Sequence, residues 1–537
     1  MKLLFIRNVN QMTNSKNILF VALMAILLGG CKEDLLDTVP NDRLSTDLYW
    51  KTERDATLGS NAVYTYLGNA DHFFSWDGLS DIGHTSSPDS PHQLILRGEF
   101  DPLNSRILSE WRDAYAGIRA ANAFMANVDR VQTTNTGLIN RLKGEVRVLR
   151  AYYYITLAAI YGDVPLVTTE ITLEESKQLT RTPVAKVWDF ISTEMTEAAA
   201  LLPNTQTEKG RITKGAALGL KARAMLYAGR NTEAAAAAKQ VMDLNVYNIY
   251  SSYEKLFTYA AENNTEVIFD IEFVKDTYRN NIFQLMAPYS QLSSQSRYVP
   301  NKRLVDAYTM TNGKSINDPT SGFDPRDPYK NRDPRLKFTV FVPGDVLPDN
   351  KIYNSRPGSG TNDAVGSTFL ATNTGFNVEK YINKEDLPQG SNGGVNIILQ
   401  RFAEVLLTYA EAKIEANQID QSVLDAINKV RQRPDVNMPP LTVAASQALM
   451  RDIVRQERLV ELAFEGLRYI DIRRWRIAET VLPGKMYGMN YVDNNGALKT
   501  VEILPWNTLF NKNRDYLWPI PQSERELNPN LTQNPNW

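Results

Sequence analysis

The sequence predicts a mainly α-helical chain built from tetratricopeptide-like helical hairpins, interrupted by long irregular segments and a few short strands. Three observations lead there. Apolar residues recur at helical spacing over most of the chain, and strand-like alternation is confined to two short runs. Alanines also repeat at one constant offset between two distant helix–turn–helix regions.

The N-terminal segment carries Lys2, Arg7 and Lys16, no acidic residue, and an apolar run from Ile18 to Leu28. That run is shorter than the roughly 20 residues a spanning helix needs. A basic start, a short apolar stretch and the small pair Gly29-Gly30 make a cleavable export signal over residues 1–30. The cut falls before Cys31, the only cysteine of the chain, in Leu27-Leu28-Gly29-Gly30-Cys31. This pattern resembles a bacterial lipobox, in which the new N-terminal cysteine carries the lipid. The plainer alternative is a buried thiol behind an ordinary signal. Lys32 to Arg43 is polar and holds Pro40, so residues 31–45 read as a lipidated tether.

Helix follows from Leu48 to Leu67, where Trp50, Ala56, Leu58, Ala62, Val63 and Tyr66 share the helical period. Asp71 to Gln93 is rich in Ser, Asp, Gly and Pro and reads as a long loop, although it carries Phe73, Phe74 and Trp76. Helices are expected from Ile107 to Val128 and from Leu138 to Tyr161, the second ending at Gly162-Asp163-Val164-Pro165. Thr182-Pro183 supplies an N-cap and a first-turn proline, whose missing N–H costs nothing there. An alanine-rich helical pair spans Thr213 to Met242, broken at Gly229-Arg230-Asn231. Its Ala222, Ala224, Ala228 and Ala238 match Ala410, Ala412, Ala416 and Ala426 in the helix–turn–helix from Arg401 to Pro434. The strand signals are Glu266 to Phe273 and Lys337 to Val342. Gly344 to Gly394 shows little periodicity, and irregular stretches of that length are usually functional or disordered. The pattern is strongest from Gln447 to Trp475, where Arg458–Glu461 and Arg468–Asp471 fall three apart. Its dense charges read as a lattice of ion pairs around a packed helix.

Charge and cysteine content limit the function. Removing the signal takes 3 of the 59 basic residues and none of the 61 acidic ones, leaving a net charge of about −5. No basic stripe marks a nucleic-acid partner. No later run approaches spanning length, so the anchor is the only membrane contact expected. With no second cysteine to pair, stability must come from core packing.

Taken in order, several segments resemble the SusD/RagB family of surface glycan-binding lipoproteins from starch-utilisation-type systems. They are Leu149 to Tyr154 with Tyr161 to Pro165, Pro300 to Tyr308, Asn331 to Arg335, Arg401 to Leu406 with Tyr409 to Ala412, Arg455 to Trp475, and the closing Trp518-Pro519-Ile520-Pro521 and Asn528 to Leu531. The resemblance implies tetratricopeptide-like hairpins supporting an irregular, loop-rich face. It divides the body into an N-terminal part, 46–265, and a C-terminal part, 266–537, packed together. It also implies a partner, a SusC-like TonB-dependent outer-membrane barrel, over which the lipoprotein closes as a lid. Lys32-Glu33-Asp34 resembles the signal that sends such lipoproteins to the outer leaflet, facing the cell exterior.

No Gly-x-Ser-x-Gly elbow, His-Glu-x-x-His or phosphate-cradling glycine loop is present, so no enzyme and no cofactor is expected. His72, His84 and His92 sit beside Asp71, Asp77, Asp81 and Asp89 at spacings that match no usual metal motif and read as solvated loop histidines. Binding a glycan needs less than cleaving one: flat aromatic faces for sugar C–H surfaces and a few directed hydrogen bonds. Two places offer this. One is the first loop, with Phe73, Phe74, Trp76, Asp77, Asp81 and His84; the other is the set of loops carrying Tyr289, Tyr298, Arg356 and Phe376. Tyr152 to Tyr154 are assigned to the core. The expected function is non-catalytic capture of an oligo- or polysaccharide for the barrel. The alternatives are a peptide or glycopeptide cargo, a surface glycoside hydrolase, and a purely structural scaffold.

Overall fold

The computed structural model describes residues 49–86, 90–292, 294–443 and 446–537. The export signal, Cys31, the 31–45 tether, Lys32-Glu33-Asp34 and Asp89 lie outside the described residues. The order begins with α1 (Glu53–Tyr64), α2 (Ala70–Gly78), β1 (Gly83–Thr85), α3 (Pro91–Arg97), α4 (Ser105–Asn127) and α5 (Thr136–Tyr161). Next come α6 (Val184–Leu201), α7 (Lys214–Tyr227), α8 (Asn231–Asp243), β2 (Val267–Ile271), β3 (Tyr298–Pro300), β4 (Val340–Phe341), β5 (Asn377–Val378) and β6 (Ile397–Arg401). It closes with α9 (Phe402–Glu415), α10 (Gln421–Arg431), α11 (Gln447–Glu461), α12 (Arg468–Arg474), β7 (Gly484–Val492) and β8 (Leu498–Thr508).

The helices stack in a continuous series. α1 and α4 pack on α5, and each helix from α5 to α10 packs on the next, with α11 also against α9. The alanine repeat marks two equivalent hairpins in this series. Ala222, Ala224 and Ala238 are buried in α7–α8 just as Ala410, Ala412 and Ala426 are in α9–α10. Ala228 and Ala416 are the C-caps of α7 and α9, each followed by a residue at positive φ, Gly229 in one and Asn417 in the other. Small side chains here let neighbouring backbones approach closely, and the left-handed residue turns the chain back.

Among the described residues the strands form four separate antiparallel pairs: β1–β3, β2–β6, β4–β5 and β7–β8. The β7–β8 hairpin is an element not among those expected from sequence. β2 lies within the Glu266 to Phe273 run, but four of its five residues are buried, so both faces are covered rather than one. Of Lys337 to Val342 only Val340 and Phe341 pair.

Three expectations change. The segment from Asp71 to Gln93 is not a loop: Asn69 accepts from the His72 N–H and starts α2, β1 follows, and Ser90 caps α3. Thr182 is not the cap of α6; Pro183 holds that position, and Asp163 accepts from the Val184 N–H at 2.8 Å. The helix expected from Gln447 to Trp475 breaks between α11 and α12, where Phe464 and Gly466 take positive φ. That break redirects the charges. Arg458 reaches Asp471 at 3.2 Å, and Glu461 instead accepts from Arg335, Arg401 and Arg433 at 2.9, 2.7 and 2.8 Å. The charges thus form an ion-pair lattice, which continues through Glu266, Glu465 and Lys380.

Candidate ligand-binding face

The irregular face is seated on the β1–β3 pair, with Gly83 opposite Pro300, His84 opposite Val299 and Thr85 opposite Tyr298. Below it, α2 feeds its aromatic rings inward. Phe73 and Phe74 meet edge-on at 5.0 Å, and Phe74 meets Tyr381 at 5.4 Å. Trp76 stacks on Trp518 at 5.5 Å and lies 5.2 Å from Tyr469, under the Arg106 guanidinium at 4.8 Å. Acidic residues in the last turn of α2 and just beyond it tie the helix to the α11–α12 break. Asp77 accepts from the Gly466 N–H at 2.7 Å, and Asp81 takes both Arg468 nitrogens at 2.8 Å. Burial pushes the Asp77 carboxyl up to about 7.

Eight of the ten residues nominated from sequence are therefore covered by protein: Phe73, Phe74, Trp76, Asp77, Asp81, His84, Tyr298 and Phe376. The aromatic faces and carboxylates that suit a sugar are already used, by core rings and by Gly466 and Arg468. His84 is not a solvated loop histidine: it lies 3.1 Å from the Asn373 amide, and burial depresses its pKa to about 4. His92 is likewise buried, and His72 is half-buried. Tyr298 donates its hydroxyl to Asp71 at 2.8 Å, and Phe376 sits edge-on to Tyr329 at 6.3 Å. Tyr289 remains half-buried and Arg356 exposed.

Around those two residues the long irregular segments are cross-tied. The Ser290 N–H donates to Asp363 at 2.8 Å, the Val365 N–H to the Ser355 carbonyl at 3.0 Å, and the Tyr353 hydroxyl to Asn377 at 2.8 Å. Val346 and Ile352 pair across a tight turn. The β7–β8 hairpin closes one side through the Met489 N–H, which donates to the Thr374 carbonyl at 2.7 Å. These ties leave Leu292, Val346, Ile352 and Phe369 exposed, Phe369 to 75%. An exposed ring on a knitted loop can face a sugar's C–H surface, and Arg356 and Tyr289 can supply directed hydrogen bonds. Phe369 is absent from the residues expected from sequence; its one signal there is an apolar pair, Phe369-Leu370, inside a polar run.

Comparison with known proteins bears on both halves of the chain. A family model described as the SusD family matches residues 265–537, and one described as starch-binding associating with outer membrane matches residues 69–226. SusD-like protein P2 of Formosa agariphila is 25% identical, with 96% of this chain and 98% of that protein covered. A solved SusD-like carbohydrate binding protein from Bacteroides fragilis is 31% identical with a TM-score of 0.84, covering 90% of this chain and 100% of that one. A laminarin binding SusD-like protein shares the fold at 22% identity and a TM-score of 0.70, over 91% of this chain and 100% of its own. In its stacked helical hairpins, its loop face and these matches, this chain belongs to the SusD family.

Proposed function

We propose that this protein is a lipid-anchored, cell-surface capture protein that binds an oligo- or polysaccharide and hands it to a SusC-like TonB-dependent outer-membrane transporter, without cleaving it. The observation that carries the reading is the cross-tied loop face with an exposed Phe369 ring beside polar loops. The family supports the cargo class: the relative from Bacteroides fragilis is a carbohydrate binding protein, and the model over residues 69–226 is starch-binding. Cys31 is the anchor in this reading and the tether is the slack that lets the body swing over the barrel.

Calorimetry of the full chain in detergent against a panel of glycans and peptides tests the cargo. Binding to at least one glycan, with no reducing ends released on long incubation, is the expected result. Peptide binding alone, or steady release of reducing ends, overturns it. Phe369→Ala and Arg356→Ala should each weaken the glycan. A Cys31→Ser protein should bind the same glycan yet fail to support uptake in cells; normal uptake sinks the tethered form of the idea.

A further inference from the structure

Two cavities of about 350 and 250 Å³, lined by none of Tyr289, Arg356 and Phe369, adjoin each other and share Thr65, Leu67 and Tyr278 as lining. Together they fall within the roughly 300–1,000 Å³ typical of small-ligand sites. The larger lobe lies among the α1–α2 connection, α4 and α5, and is lined by Tyr66, His72, Glu110, Asp113 and Tyr152. The smaller lobe runs past the end of α1 to β2 and is lined by Tyr64, Arg211, Asp270 and Glu272.

Tyr278 stands where the lobes meet. Its ring stacks parallel on Phe273, with centroids 5.2 Å apart and planes at 6°, and the residue is 50% exposed. Phe273 covers one face, so the other is presented outward as a flat platform. The hairpin carrying it is pinned at both levels. Val274 and Tyr278 exchange backbone hydrogen bonds of 2.8 and 2.9 Å, with Asp276 at positive φ in the turn. Asp276 and Asn392 then bond reciprocally at 2.8 and 2.7 Å, and Lys275 pairs with Asp386 at 2.8 Å. A platform held this firmly loses little freedom when a ligand settles on it.

The polar lining suits hydroxyl groups rather than charges. Arg211 is engaged by Glu145 at 3.1 Å and by Glu208 at 3.0 Å, and Glu110 by Arg106 at 2.5 Å. Gly210, at positive φ, lets Glu272 lie where a Cβ would come within 2.9 Å of its carboxyl carbon. Asp113 and Glu272 remain as acceptors, Glu272 also taking the Asn263 amide at 3.3 Å, and Lys209 is the exposed cation of the lining; Glu110, Asp113, Asp270 and Glu272 together outnumber Lys209 and Arg211 along the two lobes. A sulfated or uronic polymer would meet like charge here. Tyr152, assigned to the core from sequence, is only half-buried and forms part of the wall.

We infer that this trough is a second carbohydrate-binding site, separate from the loop face, which takes a short uncharged oligosaccharide segment stacked on Tyr278 and hydrogen-bonded along both lobes. The ligand class rests on the glycan-binding reading above; the place rests on the trough's own geometry. A protein with two such sites can hold a polymer at two points, so long chains gain over short ones through effective concentration.

The test is calorimetry of the full chain in detergent with uncharged gluco-, manno- and xylo-oligosaccharides. It compares wild type with Tyr278→Ala, Asp113→Ala and the loop-face pair Arg356→Ala/Phe369→Ala, each checked for an unchanged melting temperature. Two binding events per chain are expected, with one weakened about tenfold by Tyr278→Ala and by Asp113→Ala, and the other removed by the loop-face pair. One event per chain, abolished by the loop-face pair and untouched by both trough variants, overturns the second site and leaves the glycan reading standing. No binding of any glycan by wild type overturns the glycan reading itself, and with it this ligand class.

Discussion

Trp76 separates a core reading of α2 from a ligand-platform reading. The indole is 7% exposed, stacked on Trp518 and flanked by Tyr469 and Arg106. Cutting it to alanine opens a large void beneath β1, and truncations of this kind cost about 3–5 kcal/mol. At about 2.1 cal/mol/K per residue, an unfolding unit of roughly 480 residues has an entropy of about 1 kcal/mol/K. Trp76→Ala should therefore lower the melting midpoint by about 3–5 °C in differential scanning calorimetry. Glycan affinity measured well below that midpoint should stay within about twofold of wild type, since the ring has no free face to lose. An unchanged midpoint with a tenfold loss of affinity would refute the core placement, because only a ligand-facing ring behaves that way.

Three further outcomes test the framework around the face. Glu461→Gln keeps the shape of a buried side chain but removes the charge shared by Arg335, Arg401 and Arg433; it should cost about 3–5 kcal/mol in urea unfolding. Gly466→Ala forces a side chain onto a residue with φ of +77° and sets a Cβ 3.3 Å from the Phe73 carbonyl. A loss of about 1–2 kcal/mol is expected, and a neutral result would argue against the break between α11 and α12. Burial holds the His84 pKa at about 4, below its ordinary 6.5, so the unfolded chain binds the proton more readily and stability falls as pH drops from 6.5 towards 4. His84→Gln should flatten that part of the stability–pH curve relative to wild type; an identical slope in both proteins would show that His84 does not titrate this way.

The helices were legible where a local pattern controls them. The α4, α5, α7 and α8 boundaries follow from apolar spacing and small-residue breaks, and the alanine repeat corresponds to two hairpins with the same cap. What went unread depends on distant partners. α2 hides because it sits in a segment rich in Ser, Asp, Gly and Pro, while its Phe74 and Trp76 rings are satisfied by Tyr381, Tyr469 and Trp518 from far along the chain. The α11–α12 break is signalled locally only by Gly466, and it is this break that brings Asp471, thirteen residues on, back to Arg458. For the site, residue type suggests chemistry but not exposure. An aromatic ring suits a sugar and a core equally, so five nominated rings landed inside, and Asp77, Asp81 and His84 went with them because Gly466, Arg468 and Asn373 take their polar atoms. Phe369 and Tyr278 stayed outside because tight loops carry them, and no periodicity encodes that.

The buried charges explain how an irregular face can be stiff. Arg335, Lys380, Arg401, Arg431 and Arg433 are matched by Glu266, Asp333, Glu457, Glu461 and Glu465. Apolar side chains of the same volume could fill this space at no loss of stability, so net stabilisation is not what the lattice supplies. Guanidinium groups bond in fixed directions, however, and a shifted apolar contact loses far less than a shifted bidentate pair. Arg335 sits between β3 and β4 and Lys380 in the irregular stretch between β5 and β6, and their carboxylate partners sit on α11 and in the turn after it. Neither stretch can slide over the helices without stranding a buried charge, at about 3–5 kcal/mol. The same lattice grips both strands behind the Tyr278 hairpin, through Glu266 just before β2 and Arg401 at the end of β6. Loops fixed in this way meet a ligand already ordered, and their own entropy is not spent again on binding.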